Sequence, residues 1–207
     1  MKKVLLVLVL AFTAIGCESI FEPNDPAVPV DHKMPRVGSS FTFVDPENET
    51  ATFTVEAYQA QHMGRDSVMQ VEVSNEAGDL FIDIMQNDDV SFIPDDLGIW
   101  VNLPVASRRA ITHPTVTKET PDGKITYDIT ASPLGTDSIE IKGKNHYAII
   151  SRLRTLHKVV DRGGQVITTR EFDEEYYWVP SIGFFGQITT NEGAIPNSYD
   201  LVDYALR

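Results

Sequence analysis

From Val37 onward, apolar and polar side chains alternate with a period of two in one segment after another. Met69, Val71 and Val73 oppose Gln70 and Glu72, and Leu80, Ile82 and Ile84 oppose Asp79 and Asp83, with Phe81 as an exception. Successive side chains of a strand point to opposite faces, so the pattern predicts strands with one buried and one wetted face. Residues 39–44, with Phe41 and Phe43, and residues 50–58, with Phe53 and Val55, read the same way. Turn chemistry separates the runs at Met63-Gly64-Arg65-Asp66, Asn75-Glu76-Ala77-Gly78, Pro121-Asp122-Gly123 and Asp161-Arg162-Gly163-Gly164. Glycine supplies the positive φ that tight hairpins require.

In the second half, Ile125, Tyr127 and Ile129 form one strand, and Ile139 and Ile141 lie on the next. Past Gly143 and Lys144 a long strand runs over 145–160, its return over 165–178, and two more over 184–190 and 199–206. Pro104 and Pro114 bracket an irregular or edge strand that contains Arg108, Arg109 and His113. No segment after residue 17 carries a sustained helical period with caps at both ends. Glu56 to His62 comes nearest, but the alternation of Phe53 and Val55 carries it as a strand into the Met63-Gly64 turn. Long antiparallel strands in sequence order curl under their own twist. The expected fold is mainly β: a single curved antiparallel sheet forming a half-barrel or open barrel, with helix below about a fifth. A two-sheet β-sandwich is the alternative.

The N-terminus has a different character. Lys2 and Lys3 precede an uncharged run from Val4 to Ala14, and Ile15, Gly16 and Cys17 follow. A positive start, an apolar middle and a small-residue end make a secretory signal peptide, and the run is too short for the roughly 20 residues of a membrane-spanning helix. Ala14-Ile15-Gly16-Cys17 resembles a bacterial lipobox, which implies cleavage before Cys17 and acylation of that cysteine, the only one in the chain. Three regions follow: a lipoprotein signal peptide over 1–16, the lipidated cysteine with a Pro-rich tether over 17–36, and an antiparallel β domain over 37–207. Pro23, Pro26, Pro29 and Pro35 favour an extended tether at about 3 Å per residue, a reach of roughly 50–60 Å. An arm packed on the domain is the competing reading. Glu18 follows the cysteine in place of the aspartate that retains enterobacterial lipoproteins at the inner membrane. The expected location is therefore the outer membrane of a bacterial cell envelope, facing the periplasm or exposed at the surface.

Loss of Lys2 and Lys3 leaves 15 of the 17 basic side chains against 30 acidic ones, a net charge near −15. Such a surface repels nucleic acid and anionic headgroups, so membrane contact is expected through the acyl chains on Cys17. There is no Gly-x-Ser-x-Gly elbow, His-Glu-x-x-His, glycine-rich phosphate loop or EF-hand loop, and the lone cysteine is consumed by anchoring. The histidines at 32, 62, 113, 146 and 157 are scattered. The acidic groups at 45–49, 88–89, 95–96 and 173–175 offer oxygen ligands but read first as solvated turns. The expectation is a protein that is not an enzyme, with no cofactor and no metal.

Tyr176-Tyr177-Trp178-Val179-Pro180-Ser181-Ile182-Gly183-Phe184 and the closing Leu201-Val202-Asp203-Tyr204 resemble the ending of the TapB-like envelope lipoproteins of unknown function. Trp100-Val101-Asn102-Leu103-Pro104 is a second, fainter echo. The resemblance implies an antiparallel sheet wrapped into a half-barrel and brings no catalytic residues. Apolar capacity remains: a partly closed sheet either fills its concave face or opens it to a hydrophobic ligand. Phe43, Phe53, Trp100, Tyr127, Tyr147 and Trp178 are the candidate ligand-binding residues, and Cys17 the lipid anchor. The alternative to a binding module is an accessory lipoprotein that engages an envelope protein through an exposed strand or the Trp178 hairpin.

Overall fold

The computed structural model describes residues 30–74, 79–84, 89–93, 97–191 and 197–207. Among them there is no helix, and about 70% of residues lie in strands. The strands are β1 (Ser40–Val44), β2 (Thr50–His62), β3 (Arg65–Val73), β4 (Asp79–Ile84), β5 (Val90–Phe92), β6 (Val101–Leu103), β7 (Ile111–Thr112), β8 (Val116–Thr120), β9 (Gly123–Ile141), β10 (Lys144–Asp161), β11 (Val166–Val179), β12 (Phe184–Thr190) and β13 (Asn197–Ala205). All belong to one antiparallel sheet in the order β6-β5-β4-β3-β2-β1-β13-β12-β11-β10-β9-β7, with β8 paired to β9. The first and last strands therefore meet in the middle, Phe41 opposite Tyr204. Two meanders run outward from that join and nearly close into a barrel with one unsealed seam.

The turns follow from local backbone chemistry. β2 passes to β3 through Met63 and Gly64 at φ 45° and 78°, and β9 passes to β10 through Lys142 and Gly143 at 54° and 72°, the positive pair that matches strand twist in a two-residue hairpin. Register shifts in the β1–β13, β2–β3, β9–β10, β10–β11 and β11–β12 ladders mark bulges that bend the sheet. Residues 123–141 form one strand, where alternation suggested two. Pro133 is tolerated because the β9–β10 register shifts there, Ile150 facing Gly135 and Ser151 facing Pro133. On its other side β9 is paired only as far as Ala131, so the missing N–H of Pro133 breaks no ladder.

The interior of the barrel is filled. Phe41 stacks on Phe184 with centroids 4.1 Å apart, and Phe185 packs edge-on against Trp178 at 5.3 Å. Val55, Val71, Ile82, Leu103, Ile129 and Leu153 complete a continuous core. The Pro180 turn after β11 is closed by Gly183, whose N–H donates to the Val179 carbonyl at 2.9 Å and whose φ is 68°. A Cβ on Gly183 would stand 1.7 Å from the Lys33 carbonyl oxygen, so the turn and residues 30–36 approach too closely for any other residue. Lys33 N–H donates to Pro180 O at 2.9 Å, Tyr58 OH to Pro35 O at 2.5 Å, and the Trp178 indole N–H to His32 Nδ1 at 2.9 Å. Residues 30–36 are thus a packed arm, and only 17–29 of the expected tether lie outside the described residues.

The seam separates β6 from β7 and β9. β6 lies against β9 and β10 without pairing to them, and the chain crosses the gap through residues 104–110. Side chains replace the missing ladder. Ser151 Oγ–H donates to Pro104 O at 3.3 Å, and the His113 imidazole, 7% exposed, is buried near the Asn102 backbone. Burial holds His113 below its ordinary pKa of 6.5; the nearby Asn102 backbone opposes this, and the Arg65 charge adds to the lowering.

Two outcomes follow from this packing. Trp178→Ala removes a fully buried ring and should cost about 3–5 kcal/mol, a fall of roughly 6–20 °C in melting temperature for a domain of this size. An unchanged melting temperature would contradict the packing role. For His113 the unfolded chain takes up a proton as pH falls past 6.5 while the folded protein resists, so stability is lost between 6.5 and the lower folded pKa. The loss of melting temperature between about pH 7.5 and 5.5 should be shallower in His113→Gln; parallel profiles would show that the seam histidine carries none of it.

Candidate functional site

A cavity of about 470 Å³ lies at the end of the seam. Five separate stretches build it: the arm at Val30 and Asp31, the crossing at 104–108, the β9 bulge at Pro133, Gly135 and Thr136, β10 at Tyr147 and Ile149, and the turn at Pro180 and Ser181. Pro104, Val105, Ala106, Gly135, Ile149 and Pro180 are buried and form its floor, while Asp31, Thr136, Tyr147 and Ser181 are exposed at its mouth. Such a volume falls within the roughly 300–1,000 Å³ of small-molecule sites, and an apolar floor under a few polar groups is their usual chemistry.

Each wall is fixed by a local interaction. Val105 N–H donates to Leu103 O at 2.9 Å, a three-residue turn centred on Pro104 whose fixed φ suits it. Beyond it the buried Asp89 carboxylate accepts from the Ala106 and Ser107 amides at 2.9 and 2.8 Å. Hydrogen bonds to an ionised carboxylate are the strong kind, and they hold the crossing segment as a wall. At the mouth His146 Nδ1 lies 3.2 Å from Ser181 Oγ and the ring meets Tyr204 edge-on at 5.8 Å. Arg108 adds a cationic group to the lining beside Asp31.

Among the six aromatic candidates, Tyr147, 57% exposed, stands at this cavity. Phe43 and Phe53 meet edge to face at 5.2 Å, with Phe184 against both. Trp178 is fully buried, so its hairpin offers no exposed indole. Trp100 is half-buried away from the cavity, its N–H donating to Met63 O at 3.2 Å and the Arg65 guanidinium 4.4 Å from its ring centre. Tyr127 sits on the far half of β9 against His157 at 5.2 Å, with the Lys118 ammonium 5.5 Å from its ring centre. Cys17 lies outside the described residues.

The charged candidates are held by neighbours. Asp173 pairs with Arg154 at 3.0 Å and Glu175 with Arg152 at 2.8 Å across the β10–β11 ladder, and Asp45 accepts the Glu49 amide at 2.7 Å within a turn. Tyr176 OH donates to Glu174 at 3.1 Å, and burial raises its phenol well above the ordinary pKa of 10.0. His62, stacked on Phe81 at 3.8 Å, and His113, His146 and His157 occupy separate places in the sheet. The residues that sequence reasoning missed are the small and imino side chains of the cavity floor. Pro104, Pro133 and Pro180 signal chain direction in a sequence, and nothing local tells that three of them converge.

No protein-family model matches the chain, and neither does any curated protein. Its fold is nevertheless found among solved structures. A candidate lipoprotein from Parabacteroides distasonis ATCC 8503 superposes with a TM-score of 0.57 at 10% identity, over 86% of this chain and 100% of that one. A candidate exported protein with a YmcC-like fold from Bacteroides fragilis NCTC 9343 gives 0.48 at 9% identity over 86% and 100%, and the hypothetical lipoprotein YmcC from Escherichia coli K12 gives 0.40 at 11% over 81% and 85%. The chain shares the fold of the Parabacteroides protein.

Proposed function

We propose that this is a lipid-anchored lipoprotein of the bacterial cell envelope, of the TapB-like kind, which holds a hydrophobic ligand without transforming it. The cavity of about 470 Å³ with its buried apolar floor carries the reading. A closed, filled barrel offers no such place, whereas the seam leaves one beside Ile149 and Pro180. The lipobox at Ala14 to Cys17 and the fold shared with a candidate lipoprotein support the anchor. Glu18 favours the outer membrane, with the domain facing the periplasm or the surface. Ligand selection on this reading rests on shape and apolar burial, and no side chain is assigned an acid, base or nucleophilic role.

One observation favours a second reading, an accessory lipoprotein that recruits an envelope protein. β12 pairs with β11 only from Glu174 onward, so among the described residues Val166 to Phe172 has a strand on one side alone. Val166 and Ile167 there are 50% and 64% exposed, and a strand edge of this kind accepts another strand.

The soluble Cys17→Ser protein should bind cis-parinaric acid, a fluorescent fatty acid, in a detergent-free titration. Thr136→Trp places a large ring at the mouth from an exposed strand position and should weaken binding roughly tenfold, about 1.4 kcal/mol, with the melting temperature retained. Undiminished affinity in a folded Thr136→Trp protein would remove the cavity as the site, and binding too weak to detect in the parent would favour the accessory reading.

A further inference from the structure

We infer that the cavity takes one acyl chain of a membrane phospholipid, drawn from the same bilayer to which the protein is tethered; this rests on the hydrophobic-ligand reading above. The arm is pinned by Lys33 to Pro180, by His32 to Trp178 and by Pro35 to Tyr58. Its first described residues, Val30 and Asp31, line the cavity itself. The chain therefore arrives at the cavity mouth, and whatever holds its N-terminal end holds that side of the domain toward it.

Cys17 and Val30 stand 13 positions apart. Full extension allows at most about 45 Å, and a polyproline-like path about 40 Å. The packed arm shortens the spacer in this way and ties the cavity to the bilayer within a definite range. Free in solution, a domain with net charge near −15 would be repelled by anionic lipid. Tethering replaces that weak encounter with a high effective concentration. The occupant must then be apolar along its length, slender enough for a cavity in the lower half of the usual size range, and abundant at the tether's root. An acyl chain meets all three conditions, its tail on Val105, Ile149 and Pro180 and its headgroup left at the exposed mouth beside Asp31 and Ser181.

The test uses the lipidated full chain in vesicles of phosphatidylethanolamine and phosphatidylglycerol. These carry a few per cent of a phospholipid with a photoactivatable diazirine near the end of one acyl chain. Illumination should label peptides containing Val105, Tyr147 and Ile149, with at least tenfold less labelling there in Thr136→Trp. Cys17→Ser mixed with the same vesicles should also label at least tenfold less, while still binding cis-parinaric acid in solution. Equal cavity labelling in Cys17→Ser and the lipidated parent would overturn tether-directed loading. Labelling untouched by Thr136→Trp would overturn the cavity as the acceptor. Fatty-acid binding without any lipid labelling would sink the membrane source alone, whereas loss of fatty-acid binding in Cys17→Ser as well would sink the ligand-binding reading on which it rests.

Discussion

Between β6, which ends at Leu103, and the part of β9 beyond Ala131, its last residue paired to β7, two strand edges of the same sheet come together without a backbone ladder. Everywhere else around the barrel, each strand is tied to the next by register-fixed hydrogen bonds. Proline sits on both sides of the gap: Pro104 turns the chain away after three residues of β6, and Pro133 removes a donor from β9 just past the last residue it pairs to β7. An edge so truncated is a short, proline-marked edge of the kind that resists further pairing. The Ser151 side chain ties the two sides together, and the buried His113 packs at the gap. A seam held by side chains tolerates a cavity at its end, because no ladder bond has to be broken to make room for one.

The rest of the molecule is arranged so that this opening costs little. The aromatic stack of Phe41, Phe184 and Phe185 lies around the β1–β13 join and the Pro180 turn. These aromatic contacts therefore lie on the fully laddered side of the barrel. The arm at 30–36 links core and seam: His32 satisfies the buried indole of Trp178, while Val30 and Asp31 reach the cavity. Gly183, under the Lys33 carbonyl, is the point where turn, arm and core are in mutual contact. A change in the arm would be felt by both core and cavity, whereas a change at the β10–β11 hairpin tip, where Val166 to Glu171 are exposed, would touch neither.

Alternation made the sheet legible. Met69, Val71 and Val73 against Gln70 and Glu72 could fold in no other way without exposing an apolar face, and β3 buries that face. The Met63-Gly64 turn was local chemistry and fell where a hairpin forms, while the turn read at Gly143 and Lys144 lies one residue earlier, at Lys142 and Gly143. The continuity of β9 was hidden, because Ser132-Pro133-Leu134-Gly135 reads as a turn unless one knows that its far side is a sheet edge. The cavity was hidden for a related reason. Aromatic side chains look alike in sequence whether they fill a barrel or line an opening, and Phe43, Phe53 and Trp178 fill it. The floor residues Pro104, Ala106, Gly135 and Pro180 come from three distant turns and crossings, and only the closed topology brings them together. His32 belonged to a segment read as tether, and its pairing with Trp178 spans 146 positions, beyond the reach of any local pattern.

On the proposed function the seam's end is the binding place and the filled barrel is not. Amide hydrogen exchange of the soluble Cys17→Ser protein, with and without saturating palmitate, addresses this most directly. Exchange should slow on binding at 104–108, 133–136 and 147–149, the stretches that build the cavity, with the β1–β13 ladder unchanged. Protection confined to the exposed β11 edge at 166–172, or spread evenly over the barrel, would contradict it.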